Sequence, residues 1–342
     1  MRQGQNPAKM GLKAYQPAQL GILLLTYIPT QTGYFSDSLK VLEYQVASIH
    51  KNTPVQFNLH IFDNGSCREV REALSKMQTD GWVDWLTLSE HNMGKPGALN
   101  WALRGMPNEI ICYSDGDVYF RQGWYEASLK VLEIFPRTGM VTAQPCFFDN
   151  MNGKGRAHLG LRTQEEFLFS SRPAVAWITE EYVRSVGNNP DLQTKYQQHT
   201  WQVIREQASG LEAVVGASPF QFLAYKTRLE KILPLTYIYT MREDAQIAAR
   251  MDNLGLLQLS TLQPFVYHIG NRLDEVIMVE IQRDRLDESL QKKAGRSLSF
   301  SQNQASPAKK RALQALHSIA RIPLFKRIFR RAYNLLFEYF IS

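Results

Sequence analysis

The sequence predicts an α/β protein: a Rossmann-like, mostly parallel sheet flanked by helices, followed by a basic amphipathic helical tail. Three observations carry this expectation. Short apolar runs alternate with stretches of helical periodicity four times before residue 146. The runs are continuous rather than alternating, as expected of strands covered on both faces by helices. The positive charge is confined to one end: from Asn303 onward Lys309, Lys310, Arg311, Arg321, Lys326, Arg327, Arg330 and Arg331 stand against the single acid Glu338. That segment holds the whole formal charge of +7 of the 342 residues, so the body is neutral.

The elements follow in order. "LGILLLTY" reads as a first buried strand. With its neighbours it is too short to span a bilayer and lacks a small-residue cleavage site, so neither a signal peptide nor a transmembrane helix is expected. "FSDSLKVLEYQVASIHKN" places Leu39, Leu42, Val46 and Ile49 at helical spacing. "VQFNLHIFDNGS" is a strand ending in turn residues, "CREVREALSKMQ" a helix, "WVDWLTLSE" a short strand and "GKPGALNWALRG" a loop entering a helix. "EIICYSDGD" is the fourth strand, "WYEASLKVLEIF" its helix and "TGMVTAQPCFF" a further strand. Cys67, Cys112 and Cys146 form no CxxC pair, which fits a reducing cytoplasmic compartment.

Ligands of such sheets bind beyond the carboxyl ends of the strands. Asp63 ends the second strand there, and Asp115 and Asp117 end the fourth. Two carboxylates two residues apart are costly to bury unpaired. A divalent cation with phosphate oxygens would balance them, and magnesium and manganese prefer such oxygen ligands. A solvated Asp-Gly-Asp turn is the alternative. "GKPG" lacks the GK[ST] pattern of a P-loop. Asp244 in "REDAQIAAR" is either an acid favoured in a first helical turn or a reactive carboxylate. His268 is either structural or a ligand, and Trp177, Tyr196 and Trp201 are either core or sugar-stacking platforms.

Taken in order, "FDNGS", "NMGKPGALN", "SDGD" and "MREDAQIAARMDNLG" resemble the motifs of family 2 glycosyltransferases of GT-A fold, over about Leu20 to Asn271. The resemblance implies an inverting transfer of one sugar from a UDP- or GDP-sugar to a glycan or lipid-linked acceptor, in surface polysaccharide, glycolipid or glycan assembly. It implies that Asp63 accepts from the nucleotide base. Thr26, Tyr27, Pro29, Asn92, Gly94, Lys95, Asn100 and Glu243 would line the donor site. Asp117 would bind Mg2+ or Mn2+, with Asp115 on the ribose or in the metal shell and His268 completing the metal site. Asp244 would be the catalytic base. The processive members carry a Q-x-x-R-W motif; "IQRDRLDE" has Gln282 and Arg285 but no Trp, so a polysaccharide synthase is not expected.

The implied organisation is an N-terminal extension over 1–18, a GT-A domain over 19–275 and a linker with amphipathic helices over 276–342. The GT-A domain divides into a nucleotide-sugar half, 19–145, and an acceptor half, 146–275. No motif marks the stretch from Phe147 to Gly216, and Gly216, Ser218 and Phe222 follow as a loop near the donor sugar. In the tail Ile328, Phe329, Ala332, Leu335, Leu336, Tyr339 and Phe340 recur at helical spacing opposite the bases. A helix of this kind lies on an anionic membrane, here the inner face of the plasma membrane, or docks on the body or a partner. Nucleic acid is not an expected partner, because the body is neutral and no recognition motif is present. Two other readings stay open. A sugar-phosphate nucleotidyltransferase would show a GxGTR loop and a lysine where "TYIPTQTGYF" stands. A GT-A module that only binds nucleotide sugar would not.

Overall fold

A computed structural model describes residues 15–147, 156–187, 190–236 and 243–294. The chain begins with β1 (Leu20–Thr26), α1 (Ser38–Asn52), β2 (Phe57–Asp63), α2 (Arg68–Thr79), β3 (Trp85–Leu88), α3 (Gly94–Gly105) and β4 (Ile110–Asp115). It continues through β5 (Val118–Phe120), α4 (Trp124–Ile134), β6 (Thr138–Thr142), β7 (Phe167–Pro173), α5 (Ala176–Ser185), α6 (Pro190–Gln197) and β8 (Thr200–Glu206). The remaining elements are β9 (Glu212–Val215), β10 (Gln221–Tyr225), α7 (Lys226–Leu229), α8 (Glu243–Asn253), β11 (Leu257–Ser260), β12 (Val266–His268), α9 (Glu275–Arg283) and α10 (Leu286–Ala294).

Ten strands form one sheet in the order β3-β2-β1-β4-β10-β6-β11-β9-β8-β7. The first four run parallel, each joined to the next by a helix that crosses over the sheet. β10 enters antiparallel between β4 and β6, β6 and β11 run in the original direction, and β9 and β7 run against it on either side of β8. Seven of the ten strands therefore point the same way. The expected acceptor half is not a separate layer but the continuation of this sheet.

β1 shows why its apolar run is continuous. Leu20, Ile22 and Leu24 join a core with Val41, Leu42 and Val46 of α1 and Val131 of α4. Leu23 faces the other way, among Leu99 and Leu103 of α3 and Ile247 and Met251 of α8. Both faces are covered, so neither parity of the strand can be polar. Burying one such side chain contributes roughly 1.5–3 kcal/mol.

Core packing continues past residue 275. Ile277, Ile281 and Leu286 are fully buried in the α1 core. Polar contacts secure the same helices: Tyr44 donates to Asp287 at 2.8 Å, and Tyr119 and Asn52 both donate to Asp284, at 2.8 and 3.1 Å. The first compact unit runs to Ser297. The basic tail lies outside the described residues.

Candidate active site

Four turns meet at the carboxyl ends of the parallel strands. After β2, the Asp63 carboxylate accepts from the Ser66 backbone N–H through both oxygens, at 3.3 and 3.1 Å, which closes the "DNGS" turn. Asp63 has no exposed surface, and burial pushes its carboxyl above the ordinary range against the opposing pull of Ser66. Gly65 holds a φ of +92°, and a Cβ there would lie 3.0 Å from the backbone of His91 and Asn92. Only a residue without a side chain lets the two loops touch so closely. They are then joined side chain to side chain, Asn64 donating to Asn92 at 3.0 Å and accepting from the Met93 N–H at 2.8 Å.

Asn92 accepts from the Gly94 N–H at 2.8 Å, and α3 starts there, carrying Lys95 to the crevice. Asn100, one turn further along α3, holds the chain at Leu235 through two hydrogen bonds of 2.8 and 2.6 Å. These bonds fix the chain just ahead of the segment that leads to α8. Thr26 is buried and its carbonyl accepts from the Asn64 N–H at 2.9 Å, whereas Tyr27 is 43% exposed beyond the end of β1 and Pro29 half-buried.

The acids that end β4 are turned to different partners. A Cβ on Gly116 would meet the Leu25 carbonyl at 3.1 Å, so the Asp-Gly-Asp turn lies close over the end of β1. Asp115 accepts a short hydrogen bond from the Tyr113 hydroxyl and pairs with Lys95 Nζ at 3.1 Å. Lys95 also contacts Asp244 Oδ1 at 3.0 Å, at the start of α8. Burial alone would depress the Lys95 pKa; Asp115 and Asp244 reverse that and hold the ammonium charged. Burial raises the Asp115 carboxyl, against Lys95, and pushes the Tyr113 phenol well up, so the phenol donates and does not ionise.

Asp117 lies at the start of β5, which pairs antiparallel with β12 in a small two-stranded sheet, and Ile269 N–H donates to its carbonyl at 2.8 Å. That pairing brings His268 Nε2 to 3.3 Å from Asp117 Oδ2, while Nδ1 faces the Ser185 carbonyl at 3.3 Å. Burial would lower the imidazole pKa, but Asp117 raises it to about 9. In return, burial of the Asp117 carboxyl is outweighed by His268, which holds it below the usual range.

One atom tests whether a cation fits. Asp117 Oδ1 is buried and finds no hydrogen-bond partner among the described residues. An unpaired buried carboxylate oxygen is costly unless something positive reaches it, and oxygen and imidazole donors both suit a divalent metal. Asp117 and His268 therefore fit part of a coordination shell. They do not complete it: among the described residues no group of three or more His, Cys, Asp or Glu is disposed around one point. Asp115, expected beside them, is held by Lys95 and Tyr113.

The other expected residues fall as follows. Glu243 opens α8, but its side chain lies outside the described residues. Tyr196 and Trp201 are core, with Phe147 and Tyr182 around them, whereas Trp177 is 51% exposed. Phe222 is buried against Tyr113, Ser218 exchanges hydrogen bonds with Thr142, and Gly216 takes a φ of +122°. Sequence reading missed Tyr113 and Gln45, which donates to the Asp115 carbonyl at 2.7 Å and to Ser114 Oγ at 3.0 Å. Tyr113 was findable: residues two apart on a strand share a face, so it had to lie beside Asp115.

The fold and its site define the class, an α/β protein with an acidic crevice at the carboxyl edge of a mostly parallel sheet. Residues 34–200 match the model of the family described as Glycosyl transferase family 2, the family the four motifs resemble. No curated protein matches the chain. Among solved structures it is similar to a crystal structure of GalNAc-T7 with UDP, GalNAc and Mn2+, at 15% identity and a TM-score of 0.45, covering 74% of this chain and 44% of that one. It is also similar to S. aureus TarS, at 15% identity and a TM-score of 0.42, covering 83% of this chain and 44% of that one. The corresponding values for TarS residues 1–349 are 15%, 0.42, 84% and 73%. The chain thus spans less than half the length of the first two. Likeness at this level does not extend to their ligands or substrates.

Proposed function

We propose that the chain is an inverting glycosyltransferase that moves one sugar from a nucleoside-diphosphate sugar to an acceptor hydroxyl. The observation that carries the reading is the meeting of Asp115, Asp117, Lys95, Asp244 and His268 in one crevice, from four separate segments of the chain. Departure of a diphosphate develops negative charge, and Lys95 supplies a charged donor for it. Asp117 and His268 would hold a divalent metal, which when bound supplies Lewis-acid stabilisation of the leaving group. Tyr27 offers an exposed ring to a base, and Asp63 shapes the turn beneath it. Asp244, half exposed at the start of α8, takes the acceptor proton as general base. One carboxylate suffices for a single displacement with inversion. Transfer to a glycan or lipid-linked acceptor, with the tail holding the protein on an anionic membrane, belongs to the same proposal. It rests on the sequence of residues 303–342.

The test is incubation with UDP- and GDP-sugars plus Mn2+ or Mg2+, following release of nucleoside diphosphate. Release that an acceptor stimulates and a chelator removes is expected, with inverted anomeric configuration in the product. Retained configuration, or neither binding nor turnover of any sugar nucleotide with either metal, would sink the reading.

A further inference from the structure

Lys95 touches two carboxylates that the proposed reaction uses at opposite ends. Its ammonium lies 3.1 Å from Asp115 on the donor side and 3.0 Å from Asp244 on the acceptor side. The two contacts are unequal. Asp115 is also held by the Tyr113 hydroxyl, and the Lys95 ammonium lies 5.2 Å from the centre of the Tyr113 ring. The Asp244 side chain is 50% exposed, against 33% for Asp115 and 14% for Lys95. The Asp244 oxygen that meets Lys95 is itself buried and has no hydrogen-bond partner among the described residues, whereas Asp115 keeps the Tyr113 hydroxyl, so the Asp244 contact is the one a competing anion displaces first.

We infer that Lys95 is an exchangeable cation that keeps Asp244 paired until a nucleoside diphosphate arrives. The inference deepens the glycosyltransferase reading and rests on it. A diphosphate beside Asp115 draws the Lys95 ammonium to its own oxygens and frees Asp244. While its Oδ1 is paired with the ammonium, Asp244 cannot present that oxygen to an acceptor hydroxyl. Once released, it accepts the proton of the acceptor hydroxyl. The site is therefore competent only when the donor is in place. No covalent step is involved; one ion pair is exchanged for another.

The exchange has a measurable signature. Diphosphate binding must break the Lys95–Asp244 pair, so removing the Asp244 carboxylate should tighten binding. For a single ion pair the gain is about two- to five-fold. The experiment is calorimetric titration of UDP, and separately GDP, with Mn2+ into the full chain, Asp244→Asn, Lys95→Met and the double variant. Asp244→Asn should bind the diphosphate about two- to five-fold tighter than the native chain, and Lys95→Met should bind it more weakly. In the Lys95→Met background Asp244→Asn should change nothing, because the cycle isolates the pair. Zero-length carbodiimide coupling gives a second readout on the native chain. A Lys95–Asp244 cross-linked peptide should form without nucleotide and decline as UDP and Mn2+ saturate the site.

Unchanged or weaker binding by Asp244→Asn overturns the exchange. Equal tightening in both backgrounds also overturns it, since that is plain repulsion between Asp244 and the diphosphate. If Lys95→Met does not fold, cross-linking decides, and a product undiminished at saturating UDP overturns the exchange. Diphosphate binding with any of these results leaves the glycosyltransferase reading standing, whereas binding of neither diphosphate removes both.

Discussion

On the proposed reading Asp117 serves a ligand more than the fold. Its side chain is one-third exposed, and one of its oxygens has no partner among the described residues. Asp117→Asn should therefore abolish metal-stimulated turnover while leaving thermal unfolding close to native; wild-type rates with either metal would refute the metal role. Asp244→Asn should lose turnover by about 100-fold or more, the scale of a missing general base, with no loss of nucleotide affinity. A parallel loss in both would move Asp244 into the donor pocket. His60 makes a separate prediction about pH. It is buried, with Nε2 at 2.9 Å from Thr87 Oγ1, and burial lowers its pKa from about 6.5 to about 4. The unfolded chain then binds the extra proton first as pH falls, so stability is full above about pH 6.5 and declines toward pH 4. Between pH 7.5 and 5 the loss from this residue is on the order of 2 kcal/mol. His60→Gln should shrink the pH dependence of urea midpoints by about that amount.

At the scale of elements, the site depends on segments far apart in sequence being locked together. The Arg121 guanidinium, after β5, pairs with Glu181 of α5 at 2.8 Å and Glu280 of α9 at 2.6 Å, and donates to the Pro264 carbonyl at 3.1 Å. All three charged side chains are less than 15% exposed. Removing the cation strands Glu181 and leaves Glu280 only its 3.5 Å contact with Arg283, an effect of about 3–5 kcal/mol. Arg121→Met should therefore lower the urea midpoint strongly. It should also weaken metal-dependent binding, because the same network fixes β12 and with it His268. A midpoint within experimental error of native would show that the network is not structural. The C-terminal helices join this scaffold, which is why the body extends past residue 275. Apolar Ile277 and Ile281 face the core while Asp284 and Asp287 accept from Tyr119, Asn52 and Tyr44.

The whole molecule is a neutral body with a cationic appendage. If residues 303–342 hold the protein on anionic membranes, a chain ending at Gln302 should stop sedimenting with anionic vesicles yet still turn over a soluble acceptor analogue. The site residues all lie upstream, and the compact unit closes at Ser297. Each Lys or Arg near the surface contributes about 1 kcal/mol of attraction, so replacing Lys326, Arg327, Arg330 and Arg331 with Gln should release the native chain, as high salt does. Loss of folding on truncation would mean instead that the tail packs on the body. Among the described residues no helix is long and apolar enough to cross a membrane.

The sequence by itself determined the parallel half of the sheet and the acids at its edge. Strands covered on both faces must be continuously apolar, and turns must carry Gly, Asp and Asn; both are local requirements, visible in "LGILLLTY" and "SDGD". The strand order past β6 had no such mark, because β10 pairs with β4 only after more than a hundred intervening residues with several elements of their own, and antiparallel insertion leaves no periodicity of its own. The same limit held at the site. Spacing placed Asp115 and Asp117 together, but which of them Lys95 would hold, and which would face His268, depended on the close approach of α3, α8 and the β5–β12 strand pair. Asn100 and Asp63 were legible as residues of a motif. That one spends its amide on Leu235 and the other its carboxylate on its own turn was decided by tertiary packing, since a buried polar group takes the partner that folding puts within reach.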